Sequence, residues 1–317
     1  MSRALRGFDS VDPVIRQHVL DVASRLDYVA SPAAAALSTG KAGSIGIITP
    51  FVDRLAFLRM LKGIESEMRA ANMDLLLHCT GDPSDPHPVP PHKRLARRVD
   101  GFLVLSVSAE SPDLEGILKL GMPVTIFGST GPRASNINID DRAGAASAMD
   151  HLLERGHQRI GVIYGRELDN PIVLEHQRYL GCLDAMKRAG LPLNDRLQVP
   201  GDYTIAGGER AMTQLLDSDE PPTAVFAFSD EMAFGAIQAM KNRGVRPGRD
   251  IAIIGYDGHE ISAVLDLSTI SVPFELIGAT AAHDLLRELG APTERRTAKV
   301  FPTQLIARAT TSQASVG

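Results

Sequence analysis

At 317 residues the chain is too long for one small core and suits two domains of ordinary size, and 44% hydrophobic with 22% charged residues describes a globular protein. A formal net charge of −5 excludes nucleic-acid binding through the overall field, so any DNA contact must be local. Cys79 and Cys182 supply neither a disulfide framework nor metal-ligand spacing, and no apolar run approaches the roughly 18 residues of a membrane span, so a reducing cytoplasm is expected.

The opening run from Ser2 to Arg6 favours helix and stops at Gly7, yet no capping residue with room before it precedes the run. Asp12-Pro13 then reads as a cap followed by proline in the first turn, and Val14, Ile15, Val19, Val22, Ala23 and Leu26 recur at helical spacing up to Tyr28. Ser31-Pro32 starts a second, short, Ala-rich helix that needs a partner to form, and Gly40 and Gly43 close a flexible joint.

From Ser44 the pattern alternates strand and helix. Near-continuous apolar strands at 44–49, 73–79, 101–106, 123–128, 159–165, 223–229 and 250–257 alternate with helical patterns such as 57–71, which means parallel sheets covered on both faces. Ten or so strands are too many for one sheet, so two doubly wound sheets are expected. Five prolines between 81 and 93 break the rhythm and predict an extended surface loop, leaving only "KRLARRVD" to form a helical stub.

Phosphate-binding, nucleophile-elbow and zinc-protease signatures are absent from the sequence. His78, Cys79, His87 and His92 lack metal-ligand spacing, so no metal and no cofactor is expected, while His151 and His157 flank a helix end that suits a structural cation. The remaining polar residues gather at carboxyl ends of strands, where open α/β sheets bind ligands: Asp53 and Arg54, Asp140 and Asp141, Ser229 and Asp230, and Asp257. Asp230 alone reads as an N-cap. Carboxylates and a guanidinium on rigid elements suit the vicinal hydroxyls of a sugar, and Phe57, Tyr164, Phe228 and Phe274 read either as an apolar face for its ring or as plain core.

The order of pieces resembles the lactose-repressor/galactose-repressor family of bacterial transcription regulators. "SRALRG" looks like the end of that family's recognition helix, "YVASPAAAALSTG" stands at its hinge, and "SIGIITP" matches the first strand of its effector domain. "IDDRAGAASAMDHLLERGHQRIGVI", "RYLGCLDAMKRAGL", "PTAVFAFSDEMAFGAIQAMKNRGVRPGRDIAIIGYDG" and "LSTISVPFELIGATAAHDLL" follow in family order. The resemblance implies an α/β fold of the periplasmic-binding-protein type, with two doubly wound parallel-sheet subdomains preceded by an all-α headpiece remnant and a hinge. Expected boundaries are 1–29 for the remnant, 30–43 for the hinge and linker, 44–156 plus 274–299 for the first subdomain, and 157–273 plus 300–317 for the second. It further implies that most of the helix-turn-helix lies before Met1, through a start site assigned late or a deliberate truncation.

For this sequence the resemblance carries DNA contact onto Ser2, Arg3, Arg6 and the hinge Leu37, although five basic against four acidic residues up to Lys41 make a weak electrostatic footprint. The hinge departs from the family pattern, with Ala30-Ser31 for Pro-Asn and Pro32 displaced. Effector contact is carried onto Arg178, Ser229, Asp257 and Phe274, with Asp53, Arg54 and Phe57 at the lip after the first strand and Asp140 from the cleft reading above. Ser229 replaces the usual Asn, and Gly258 replaces the second Asp of the family motif. The expectation is a homodimeric, cytoplasmic regulator, in the main a repressor, of a carbohydrate-utilisation operon, binding operator DNA and a small sugar-like effector. The alternative is a cytoplasmic sugar-binding module without DNA-binding activity, and no nucleophile-base arrangement supports an enzyme.

Overall fold

The computed structural model describes residue 4 and residues 11–28, 40–81, 91–166, 174–291 and 296–312. Ser2, Arg3, Arg6 and Leu37 lie outside these residues, as do the Ser31-Pro32 helix start and most of the proline-rich loop. The first described helix, α1 (Pro13–Arg25), starts where the Asp12-Pro13 signal puts it: Asp12 Oδ1 accepts from the backbone N–H of Val14 at 2.9 Å and of Ile15 at 3.3 Å. None of its residues is fully buried: Val14 is 77% exposed, while Val19, Val22 and Ala23 are half-buried.

Twelve described strands and nine further helices follow in the order β1 (Ser44–Thr49), α2 (Leu55–Ala70), β2 (Asp74–Cys79), α3 (Pro91–Leu95), β3 (Gly101–Leu105), α4 (Pro112–Leu118), β4 (Val124–Phe127), β5 (Ser135–Ile139), α5 (Asp141–Leu153), β6 (Ile160–Tyr164), α6 (Leu174–Arg188), β7 (Gln198–Pro200), α7 (Ile205–Leu216), β8 (Ala224–Ala227), α8 (Asp230–Asn242), β9 (Ala252–Asp257), α9 (Glu260–Val264), β10 (Ser268–Ser271), α10 (Phe274–Gly290), β11 (Ala298–Phe301) and β12 (Gln304–Ile306). They form two six-stranded sheets, ordered β11-β5-β4-β3-β1-β2 and β12-β10-β9-β8-β6-β7. Every pairing is parallel except the antiparallel edge pair of β10 with β12. The central strands β1, β3, β4, β8 and β9 are buried along their whole length, which is why they read as unbroken apolar runs, whereas the edge strands β2 and β11 are partly exposed.

Alternation along β1 splits the first lobe's core between two faces: Ile45 and Ile47 pack with α2 residues Phe57, Met60 and Ile64, while Ile48 joins Leu95, Val99, Phe102 and Ile117 on the other. On the first face α2 and α10 cross so closely that a Cβ at Gly63 would sit 2.0 Å from the Glu275 carbonyl, and one at Gly278 2.0 Å from that of Met60. This crossing fixes the first turns of both helices, which carry Phe57 and Phe274.

The chain passes between lobes three times. Helix α5, which the sequence pattern keeps with the first sheet up to residue 156, packs instead on α6 and against β8, β10 and β12. Gly181 permits the approach, since a Cβ there would lie 2.3 Å from the Arg142 carbonyl. The first crossing therefore falls at Asp140, and the last follows Phe301 rather than residue 299, because β11 pairs along its length with β5.

The end of the described chain is anchored under α5. His151 Nε2 lies 2.7 Å from Thr311 Oγ1, which lies 2.6 Å from Ser268 Oγ, and Arg155 Nε donates to the Thr311 carbonyl at 2.6 Å. Burial, reinforced by the Arg155 charge, lowers His151 to about 4, so the native state holds it neutral. The unfolded chain takes up a proton near 6.5 that the native state refuses until about 4, so stability present above pH 6.5 falls as pH drops through that window. Thermal melting between those limits is expected to show a declining Tm in the wild type and a shallower decline in His151→Gln; equal slopes would contradict the anchoring role.

Candidate functional site

Parallel strands end together, so the carboxyl edge of the second sheet brings Tyr164, Phe228 and Asp257 side by side. Into this edge α6 projects Arg178, only 6% exposed. Its Nε donates to Asp141 Oδ1 at 2.8 Å, one Nη donates to the Phe228 carbonyl, and the guanidinium carbon lies 3.8 Å from the centre of the Tyr256 ring. A buried cation is tolerated when it is paired and hydrogen-bonded, and here α5, the end of β8 and β9 each supply one contact.

Asp257 sits beside this cation with its backbone at φ 115°, a region non-glycine residues seldom occupy. Burial raises its carboxyl well above the usual carboxylate range; the Arg178 charge opposes that rise, and Asp230, Glu231 and Asp141 add to it. Burial likewise raises the Tyr256 hydroxyl, and the Asp141 charge pushes it further while the Arg178 charge opposes the rise.

The N-cap of α8 is Ser229 rather than Asp230, the residue that sequence position suggests for the cap. Ser229 Oγ accepts from the Met232 N–H at 3.2 Å and is the N-cap of α8; it is buried in that role. Asp230, one residue inside the helix, accepts from His259 N–H at 2.7 Å, Ser262 Oγ at 2.7 Å and Thr269 Oγ1 at 2.6 Å. Burial pushes its carboxyl up to about 6 against these three donors. Asp230 thereby fixes the turn that follows Asp257.

The first lobe contributes two ties, beside two core phenylalanines. Phe57 and Phe274 are buried, and Phe274 meets Phe127 edge-on at 6.5 Å between ring centres. Arg59, on the turn of α2 after Phe57, donates to the carbonyls of Asp257 and Gly258, both at 3.0 Å, with its guanidinium 5.9 Å from the Phe274 ring. Leu55 N–H donates to Glu231 Oε2 at 3.2 Å, and burial raises the Glu231 carboxyl. Arg54 lies over Phe51 at 5.4 Å and 3.7 Å from the exposed Asp53.

The structure therefore gathers Arg178 and Asp257 into one buried cluster, while Phe57 and Phe274 belong to the hydrophobic core. Asp140 is elsewhere. It is exposed, accepts from the Ala143 N–H at 3.1 Å as the cap of α5, and borders a separate groove of about 690 Å³ between α5 and α6 with Arg142, Asp150, Asp184 and Arg188. Its neighbour Asp141 reaches the cluster instead, because one step along a helix start turns the side chain inward. Sequence reasoning also missed Tyr256, Arg59 and Glu231; Tyr256 had its place beside Asp257 as a signal, whereas the Arg59 tie has none in the local sequence. Among the described residues no group of three or more His, Cys, Asp or Glu could hold a metal ion, and no helix is long and apolar enough to cross a membrane.

Comparison with known proteins agrees with this architecture. Residues 149–311 match the periplasmic binding protein-like domain. Catabolite control protein A of Priestia megaterium is 30% identical over 92% of this chain and 89% of its own length, and the HTH-type transcriptional repressor CytR of Escherichia coli K12 is 30% identical over 98% of this chain and 92% of its own. The crystal structure of a LacI family transcriptional regulator from Enterococcus faecium with bound ribose superposes with a TM-score of 0.77 at 29% identity, covering 86% of this chain and all of the other.

The two neighbouring aspartates separate by stability. Asp141→Ala strands the buried Arg178 charge and is expected to cost roughly 3–5 kcal/mol, whereas Asp140→Ala removes an exposed cap and costs about 1 kcal/mol. Urea unfolding of both variants measures the difference; similar losses would mean that the pairing with Arg178 is not what holds this edge.

Proposed function

The chain belongs to the lactose-repressor/galactose-repressor family of transcription regulators, and on that premise we propose that it represses a carbohydrate-utilisation operon under control of a sugar-like effector bound between its lobes. The carrying observation is the buried Arg178, Asp141 and Asp257 cluster at the carboxyl edge of the second sheet, tied to the first lobe through Arg59. A guanidinium fork and a neighbouring carboxyl suit vicinal hydroxyls, while phenyl rings suit the apolar face of a pyranose or furanose. Arg54 and Asp53 stand at the lip, where they would choose among ligands. The solved relative with bound ribose supports a sugar as the ligand class.

The mechanism follows from what already spans the lobes. Arg59 and Glu231 join the first turns of α2 to the Asp257 turn and to α8, so a ligand seated between them is bound by both lobes and biases their closure. The first lobe receives the chain from the expected hinge, so closure changes the spacing of two DNA-reading halves in a symmetric homodimer. Ser2, Arg3, Arg6 and Leu37 are the proposed DNA contacts of this chain, acting in the cytoplasm and without catalysis.

A thermal-melting panel of pentoses, hexoses, sugar phosphates and purines tests the effector site. A ligand at a hundredfold excess over its Kd stabilises by about 2.7 kcal/mol, a rise of roughly 5 °C or more, and Asp257→Asn and Arg178→Gln are expected to lose that rise while Asp53→Ala keeps it. Wild-type shifts in both cleft variants would overturn the assignment. Anisotropy with labelled DNA from the region upstream of the gene tests the regulatory part: operator preference that changes on adding the ligand is expected, and absence of any preference would leave a sugar-binding module.

A further inference from the structure

Residues 92–99, on α3 and the turn behind it, sort their side chains by face. His92 packs on Gly116 of α4, and Leu95 and Val99 are buried in the first lobe. Lys93, Arg94, Arg97 and Arg98 lie on the other side, and all four are exposed. None of the four forms an ion pair among the described residues, in contrast with Arg142, Arg188, Arg243 and Arg246, which pair with Asp184, Asp150, Asp217 and Asp250. Lys93 with Arg97 and Arg94 with Arg98 set like charges four residues apart along α3 and the turn behind it.

Acidic groups on adjoining described segments do not answer these charges. Asp100 is occupied by the N–H groups of Ala42 at 2.7 Å and Gly43 at 2.8 Å, Glu115 pairs with Lys119 at 2.6 Å, and Asp74 at the foot of β2 forms no ion pair with them. A row of cations with no ion-pair partner among the described residues, held on an ordered turn, fits a polyanion.

Its position indicates which one. Ser44, the first residue of β1, donates through Oγ to the Arg98 carbonyl at 2.5 Å, and the Asp100 bonds hold residues 42 and 43 against the same turn. The cations thus border the point where the chain enters the first lobe from the segment carrying the proposed DNA contacts. That segment is weakly charged, with five basic against four acidic residues up to Lys41. We propose that Lys93, Arg94, Arg97 and Arg98 form an auxiliary contact to the phosphate backbone of duplex DNA, which adds affinity but reads no bases. Three of the four are arginines, whose planar fork matches a phosphate in two bonds. The inference rests on the operator-binding function proposed above.

The test compares the full chain with Arg94→Gln/Arg97→Gln/Arg98→Gln and with a charge-matched control, Arg188→Gln/Arg210→Gln/Arg243→Gln, on the second lobe. Anisotropy is read against two labelled duplexes of equal length, one from the region upstream of the gene and one scrambled, from about 50 to about 200 mM salt. The α3 variant is expected to bind both duplexes about tenfold more weakly and to lower the salt slope by about 1 for each phosphate it no longer neutralises, with the control unchanged. An unchanged slope, or an equal fall in the control, overturns the patch. A wild-type chain that binds both duplexes equally, with a slope that still falls in the α3 variant, overturns operator reading and keeps the patch; binding of neither duplex overturns both.

Discussion

Arg178 carries a full charge in a place with almost no water, and the second lobe is arranged around its compensation. Removing such an ion from water costs several kcal/mol, an expense met here by a carboxylate from the start of α5, a carbonyl from the end of β8 and the face of the Tyr256 ring on β9. Each contact comes from a different element, so the guanidinium also fixes the mutual position of two helices and the central strands. Gly181, one turn after Arg178 on the same helix, lets α5 come close enough for Asp141 to arrive. The charge and the close packing depend on each other.

From that centre, constraint passes outward to the neighbouring lobe. Asp257, beside the cation, has an unusual backbone, and the turn after it is fixed from behind by the three bonds to Asp230 and from the front by Arg59. Arg59 rides on α2, whose seat against α10 is set by the Gly63 and Gly278 crossing. A path of contacts thus runs from the Arg178 cluster through one turn and one arginine into the helix pair of the first lobe.

The surface follows different rules. Exposed pairs such as Arg142 with Asp184 contribute little each, of the order of 0–1 kcal/mol, and are scattered over the second lobe. Against this balanced background the cations of α3 and its following turn stand out by having no acidic partner among the described residues, and their carriers Leu95 and Val99 belong to the separate core on the far face of the first sheet. An exposed charge on a buried anchor is presented in a fixed direction.

The sequence by itself determined what local physics dictates. Unbroken apolar runs alternating with helical spacing meant two buried parallel sheets, the Asp12-Pro13 pair marked a helix start, and Asp257 stood at a strand end, whereas Arg178 was singled out only by the family resemblance. Tertiary structure decided what needs distance. Asp141 rather than Asp140 faces the cation because helix register at the start of α5 turns one inward and the other to solvent. Ser229 rather than Asp230 caps α8 because the turn after Asp257, far along the chain, brings three donors to the Asp230 carboxylate. Helix α5 joined the second lobe through a glycine on α6, and Arg59 met the Asp257 turn across almost two hundred intervening positions. Spacing along a chain reports the contacts of neighbours within one element, whereas a buried charge is satisfied by whatever the completed fold brings within hydrogen-bonding reach.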